Sequence, residues 1–236
     1  MGQEWVVYRT ENKYFLTHEK SLMLQKKLEQ ILSKDEYCPN TNGYMVRSLY
    51  FDSINQYDLI TKIEGAQIRR KIRIRIYDPN DQWCKLEMKQ KDGDVQHKIS
   101  LRITREDAQK LINGEYNVLR QYFDSSSNAV TIYSIMVMGC YKPVTLIEYN
   151  RIAYTHFINN TRITFDRNVR SSESCFDIFS PEPLYSCQYD ERVILEVKYN
   201  DKLLGYVSKT LQACDLNRLA ISKYCMGRKS YMEYML

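Results

Sequence analysis

The sequence predicts an α+β fold: an eight-stranded antiparallel β-barrel forming a charged tunnel, with helices packed on the outside. Three observations lead there. Eight segments alternate polar and apolar residues with the period of a strand. In seven of them the polar positions repeat one motif, ionic residues two apart, which puts them on one face. Only four segments read as helices, too few for a bundle, and they need an apolar surface to lie against.

Taken in order, residues 5–16 form a first strand that carries Glu11 and Lys13 on one face. Thr17 caps a helix running to about residue 33, with Leu24, Leu28, Ile31 and Leu32 on one side. Residues 44–52 and 67–77 are strands, and in the second Arg73 and Arg75 oppose Ile72, Ile74 and Ile76. Residues 83–91 set Glu87 and Lys89 opposite Leu86 and Met88. Lys91-Asp92-Gly93-Asp94 signals a hairpin into residues 95–103, where Lys98, Ser100 and Arg102 align. Thr104 starts a helix that Gly114 ends, and residues 129–138 are apolar enough for a buried helix. Residues 144–155 align Tyr149 with Arg151, and residues 161–166 align Arg162, Thr164 and Asp166. Residues 192–199 set Glu196 and Lys198 opposite Val193, Leu195 and Val197, and residues 203–211 are a fourth helix. No repeat or Gly/Pro-rich linker interrupts residues 1–236, so a single domain is expected.

Composition narrows the function. With 236 residues, 44% hydrophobic and 27% charged, the chain is globular rather than disordered. A net charge of +5 is too mild for bulk nucleic-acid coating, and most of the 20 tyrosines fall at packing positions. No apolar run approaches the length of a membrane span, and the first residues do not resemble a signal peptide. The seven cysteines lack CxxC spacing and the three histidines are scattered, so reduced thiols and a cytoplasmic location are expected. Neither a zinc site nor a Ser-His or Cys-His nucleophile is indicated.

A conventional barrel turns its apolar face inward and leaves charges in water, and any one of these strands fits that reading. Repetition across seven strands, beside helices that need apolar surface, favours the reverse arrangement. Two cations about 4 Å apart repel by roughly 4 kcal/mol at an effective dielectric of about 20, so converging Arg and Lys call for an anion. Arg forks match phosphate oxygens, and Lys adds mobile charge. The interleaved carboxylates then suit a hard divalent cation that bridges phosphate oxygens. The expected ligand is a metal-bound polyanion: a nucleoside triphosphate, triphosphate or a longer phosphate chain.

Eight motifs carry a resemblance: Glu11-Asn12-Lys13-Tyr14, Ser48-Leu49-Tyr50-Phe51-Asp52, Lys71-Ile72-Arg73-Ile74-Arg75, Leu86-Glu87-Met88-Lys89, Tyr149-Asn150-Arg151, Arg162-Ile163-Thr164-Phe165-Asp166, Leu195-Glu196-Val197-Lys198 and Ser222-Lys223-Tyr224. In this order they resemble a VTC domain, the polyphosphate polymerase domain of the vacuolar transporter chaperone complex. That domain has stand-alone bacterial members and belongs to the triphosphate tunnel metalloenzymes. The resemblance implies a polymerase dependent on Mn²⁺ or Mg²⁺ that moves the γ-phosphate of ATP onto a growing polyphosphate chain and releases ADP. It implies catalytic roles for Arg73, Arg75, Arg151 and Lys198. Lys13, Lys89, Lys98, Tyr149, Arg162, Ser222 and Lys223 become phosphate contacts. Glu196 becomes the principal metal ligand, and Glu87, Glu11 and Asp166 are the further carboxylates available to the metal. The superfamily opens with Glu-x-Glu-x-Lys, and Arg9 here replaces the first acid, which points away from its triphosphatase branch. A triphosphatase or nucleoside triphosphatase in the same tunnel, and a non-catalytic polyphosphate-binding module, are the alternatives. No membrane insertion by this chain is expected, and a separate membrane partner stays an open question.

Overall fold

The computed structural model describes residues 9–38, 42–93, 95–189 and 192–234. In its first half the elements are β1 (Arg9–Leu16), α1 (His18–Leu28), β2 (Ser33–Lys34), β3 (Tyr44–Asp52), α2 (Tyr57–Ile63), β4 (Ile68–Ile76), β5 (Trp83–Asp92), β6 (Val95–Thr104) and α3 (Arg105–Ile112). There follow α4 (Ser127–Met138), β7 (Lys142–His156), β8 (Thr161–Ser172), β9 (Cys187–Tyr189), β10 (Val193–Asn200), α5 (Gly205–Gln212), α6 (Lys223–Met226) and α7 (Lys229–Tyr234). Short 3-10 turns occupy Tyr116–Tyr122 and Ile158–Asn160.

All eight expected strands are present, although residues 5–8 of the first lie outside the described residues. The fold is α+β with a mostly antiparallel sheet. Its hydrogen-bonded path runs β1-β10-β8-β7-β3-β4-β5-β6, with β2 added to β7 and β9 to β8. The path ends at β1 and at β6, so the ladder is open where a closed barrel was expected. Both end strands carry ionic side chains, Glu11 and Lys13 on β1 and Lys98 and Arg102 on β6, and charged edges disfavour further pairing.

The caps are where the sequence put them. The Thr17 hydroxyl accepts from Lys20 N at 3.3 Å, and that of Thr104 from Asp107 N at 3.1 Å. Helix α1 stops at Leu28, short of residue 33, because Ser33 and Lys34 pair with Thr155 and Tyr154 as β2. Helix α2 was not expected from the sequence; the Asp52 carboxylate caps it by accepting from the backbone of Asp58 and Leu59, both at 3.0 Å. No helix among the described residues is long and apolar enough to cross a membrane.

Chain contacts fall into two compact units. The first comprises Met1–Met45, Tyr149–Val169 and Tyr189–Ile221, and the second Val46–Glu148, Arg170–Gln188 and Ser222–Leu236. Each has its own core. In the second unit Ile72, Ile74, Ile76, Leu86, Leu101 and Ile103 pack with Ala108 and Leu111 of α3 and Ala129, Ile132 and Met136 of α4. In the first, Leu16, Ile163, Phe165, Val193, Leu195 and Val197 pack with Leu24 and Leu28 of α1 and Val207 and Leu211 of α5. Each fully buried Ile, Leu or Val adds about 1.5–3 kcal/mol. The apolar strand faces are thus the helix-covered ones, and the ionic faces point the other way.

Candidate functional site

In the second unit, register builds the ionic face. Strand pairing sets Lys71 opposite Lys89, Arg73 opposite Glu87 and Arg75 opposite Lys85; the next ladder sets Lys89 opposite Lys98, Glu87 opposite Ser100 and Lys85 opposite Arg102. Antiparallel partners share a face, so these nine positions form one grid of seven cations, one serine and one acid. That acid, Glu87, is 3% exposed. Its Oε2 accepts from Arg73 Nε at 2.9 Å and lies 3.6 Å from Arg75 Nη1, while Oε1 takes Lys98 Nζ at 2.5 Å. Burial pushes the Glu87 pKa up, but Arg73, Arg75 and Lys98 outweigh it and hold the group down at about 2.

Tyr50 and Ser48, opposite Arg73 and Arg75 on β3, complete this face. Arg73 Nη1 donates to Tyr50 Oη at 2.9 Å, and Arg75 Nε to Ser48 Oγ at 3.1 Å. Burial raises the Tyr50 pKa; Arg73, Arg75 and Lys71 lower it further than that, leaving the phenol at about 8. The Tyr50 ring stacks on Tyr224 with centroids 5.3 Å apart, and the Tyr224 hydroxyl donates to Asp52. Lys71 Nζ donates to Ser222 Oγ at 2.8 Å, and the same serine caps α6, whose first residue is Lys223.

The first unit carries a different ionic face. Glu11 pairs in register with Lys198 and then Arg162, and Lys13 with Glu196 and then Thr164. Lys13 Nζ lies 3.0 Å from Glu11 and 3.4 Å from Glu196; Lys198 Nζ lies 2.5 Å from Glu196 and 3.7 Å from Glu11. Burial disfavours the charge on Lys13, yet the two carboxylates more than compensate and raise its pKa. Thr164, 3% exposed, keeps a buried hydroxyl with no hydrogen-bond partner.

Arg151 and Asp166 form a bidentate pair at 2.6 and 2.8 Å, which occupies both carboxylate oxygens. Burial disfavours the Arg151 charge, but Asp166 first, and then Tyr149, raise its pKa. Its guanidinium also lies 5.2 Å from the Tyr149 ring centroid. Gly43 explains how the chain passes beside it: at φ +76° a Cβ there would sit 2.2 Å from the Arg151 carbonyl oxygen. Arg162 Nη2 bonds Asp35 at 2.9 Å and Tyr44 Oη at 3.1 Å.

The candidate residues therefore gather as two sets. Glu11, Lys13, Glu196 and Lys198 meet in the first unit, alongside Arg151, Asp166, Tyr149 and Arg162. Arg73, Arg75, Glu87, Lys89 and Lys98 share the face of the second, where Ser222 joins through Lys71. Sequence reasoning quoted Ser48, Tyr50, Lys71, Thr164 and Tyr224 within its motifs but gave them no site role. Parity already aligned Thr164 with Arg162, and it extends to three more: Ser48 and Tyr50 alternate with apolar residues, and Lys71 precedes Arg73 by two.

Among the described residues no three His, Cys, Asp or Glu side chains gather as a ready metal cage. Glu11 and Glu196, which share the same two lysines, are the carboxylates of the first unit whose chemistry suits a small hard dication. Mg²⁺ is held by one or two carboxylates and completes its shell with phosphate and water. The orphaned Thr164 hydroxyl beside Glu196 is a further oxygen donor in the same row.

A mostly antiparallel sheet with one helix-covered apolar side is a fold that recurs in other proteins. Two solved structures share it. HpAC1 from Hippeastrum, provisionally named an adenylyl cyclase and described as having a dominant triphosphatase activity, superposes with a TM-score of 0.57 at 13% identity, covering 95% of this chain and 96% of that one. A Bacillus halodurans protein provisionally named adenylate cyclase gives 0.52 at 12% identity over 91% and 95%. No curated protein matches the chain. The VTC domain model matches residues 8–232, and the chain belongs to that family.

Proposed function

We propose that the protein is a metal-dependent polyphosphate polymerase, which transfers the γ-phosphate of ATP to the end of a phosphate chain and releases ADP. Membership of the VTC family and the triphosphate-handling fold support phosphoryl chemistry. The observation that carries the reading is the grid around Glu87, where seven cations face one acid. Such an excess of cations favours an anion with several charges. Arg73 and Arg75 supply forks for equatorial phosphate oxygens, while Lys89 and Lys98 neutralise charge along the chain. On the first unit, Lys13, Lys198, Arg151 and Arg162 do the same with Tyr149 adding a contact, and on the second Ser222 and Lys223 add theirs.

A terminal phosphate oxygen of the acceptor attacks the γ-phosphorus, and the bond to the β,γ-bridging oxygen breaks with its electron pair leaving on ADP. The attacking oxygen is already an anion, so positioning and charge neutralisation suffice without a strong base. Mn²⁺ or Mg²⁺ held at Glu196 and Glu11 would neutralise charge on the phosphate oxygens. A cytoplasmic location would give the enzyme access to ATP.

The test is incubation with ATP and Mn²⁺, and separately with triphosphate and Mg²⁺, followed by sizing of the products. Chain growth with ADP release is expected; orthophosphate alone would make the enzyme a hydrolase. Glu196→Gln separates a metal ligand from a simple partner of Lys13 and Lys198. Gln is nearly isosteric but a poor ligand for a hard dication. The variant is expected to fold and bind triphosphate while turnover falls by about two orders of magnitude or more. Unchanged metal dependence would remove Glu196 from the site.

A further inference from the structure

The ionic face of the first unit does not end in bulk solvent at Arg162. A cavity of about 780 Å³ adjoins it, lined by Ile31, Leu32, Ser33, Phe157, Asn160 and Arg162 among others. That size suits a small organic ligand. Arg162 belongs to both places: it stands beside Lys198 in the strand register, and it forms part of the cavity wall. Its Nε is buried without a hydrogen-bond partner.

Phe157 is 88% exposed, an unusual position for a large aromatic ring. One of its faces stacks on His156, with centroids 4.7 Å apart and planes at 19°. His156 is itself fixed at both nitrogens, Nδ1 accepting from Ile158 N at 3.1 Å and Nε2 meeting Tyr206 Oη at 3.1 Å. The outcome is a braced aromatic plate with a second face presented to solvent, next to a guanidinium that borders a phosphate-handling surface.

We propose that this cavity is a nucleobase site, which holds the heterocycle of a nucleoside triphosphate against Phe157 while its phosphates pass Arg162 toward Lys198. The inference rests on the ATP-dependent reading above and deepens it by naming where the base of the nucleotide sits and which side chains hold it. An anionic chain joined to a flat, weakly polar ring is the ligand chemistry that a cation beside an exposed aromatic plate selects. Ser33 and Asn160 offer hydrogen bonds to the edge of the base.

The test is calorimetric titration of the whole chain, with Mg²⁺, by ATP and by inorganic triphosphate, comparing Phe157→Ala and Phe157→Trp with the unsubstituted protein. Loss of one stacking partner is expected to weaken ATP roughly tenfold. Triphosphate should change by less than about twofold, and Trp should preserve ATP affinity because it keeps the stacking surface. Equal weakening of both ligands, or no effect on ATP, overturns the nucleobase site and leaves the anion reading standing. Failure of both ligands to bind the unsubstituted protein defeats both readings.

Discussion

The two ionic faces are built by the same strand geometry and balanced in opposite ways. In the first unit the ionic pairs between β1 and β10 join unlike charges, Glu11 with Lys198 and Lys13 with Glu196, so these two strands largely satisfy each other. In the second, register sets Lys71, Lys89 and Lys98 in one row and Arg75, Lys85 and Arg102 in another, with Glu87 as the single acid between them. Opposite charges across a ladder stabilise by about 0.2–1 kcal/mol per pair, and like charges cost a similar amount. A shared two-residue period thus gives a charge-balanced surface in one case and a cation-rich one in the other. The difference lies in the sign of each partner, not in the backbone.

The comparison breaks most visibly at Glu87. Its replacement by Gln leaves Arg73 and Arg75 around an uncharged group, and removing one member of a buried ionic set costs about 3–5 kcal/mol. Urea unfolding should show that loss, and triphosphate should recover much of it. A variant as stable as the parent would mean that the second face needs no counter-charge.

For the unsubstituted protein, triphosphate at about 100 times its dissociation constant should add roughly 2.7 kcal/mol. A melting temperature indifferent to triphosphate and pyrophosphate would contradict the proposed anion-binding role of that face. Lys198→Ala, on the balanced face, should be far milder, about 1 kcal/mol or less, because Glu11 and Glu196 both keep Lys13 and the pair is partly exposed. If this variant proves as damaging as Glu87→Gln, the contrast between the faces is wrong.

The smallest effect is spectroscopic. The Tyr50 phenol titrates near 8 rather than 10, since Arg73, Arg75 and Lys71 overcome the opposing effect of burial. Between those values the unfolded chain holds the proton and the folded one has released it, so this group's contribution to stability grows as pH rises from 8 to 10. The contribution vanishes below pH 8. Phenolate absorbance near pH 8, absent from Tyr50→Phe and moved upward by bound triphosphate, is the expected signal. Appearance of phenolate only near pH 10 would show that those cations are better screened than their geometry implies.

Local chemistry made much of this legible. The alternation of Arg73 and Arg75 with Ile72, Ile74 and Ile76 assigns the faces of β4 without a structure, because the side-chain period of a strand is two. Thr17 and Thr104 announce their helices, since a hydroxyl is the natural acceptor for a helix's first free N–H groups. Helix α2 was hidden because its cap, Asp52, sits at the end of the preceding strand rather than at the adjoining position. Tyr224 was hidden because its stacking on Tyr50 joins residues far apart in the chain.

The sequence by itself determined which residues are ionic, which share a face within one strand, and that the apolar faces require helices. Periodicity is a property of neighbouring residues, so no folding need be known to read it. Only the tertiary structure decided that Glu11 meets Lys198 while Lys71 meets Lys89, that both oxygens of Asp166 go to Arg151, and that Phe157 stands exposed beside Arg162. Those outcomes depend on strand register and side-chain packing, which a one-residue slip would rewrite while leaving every local pattern intact.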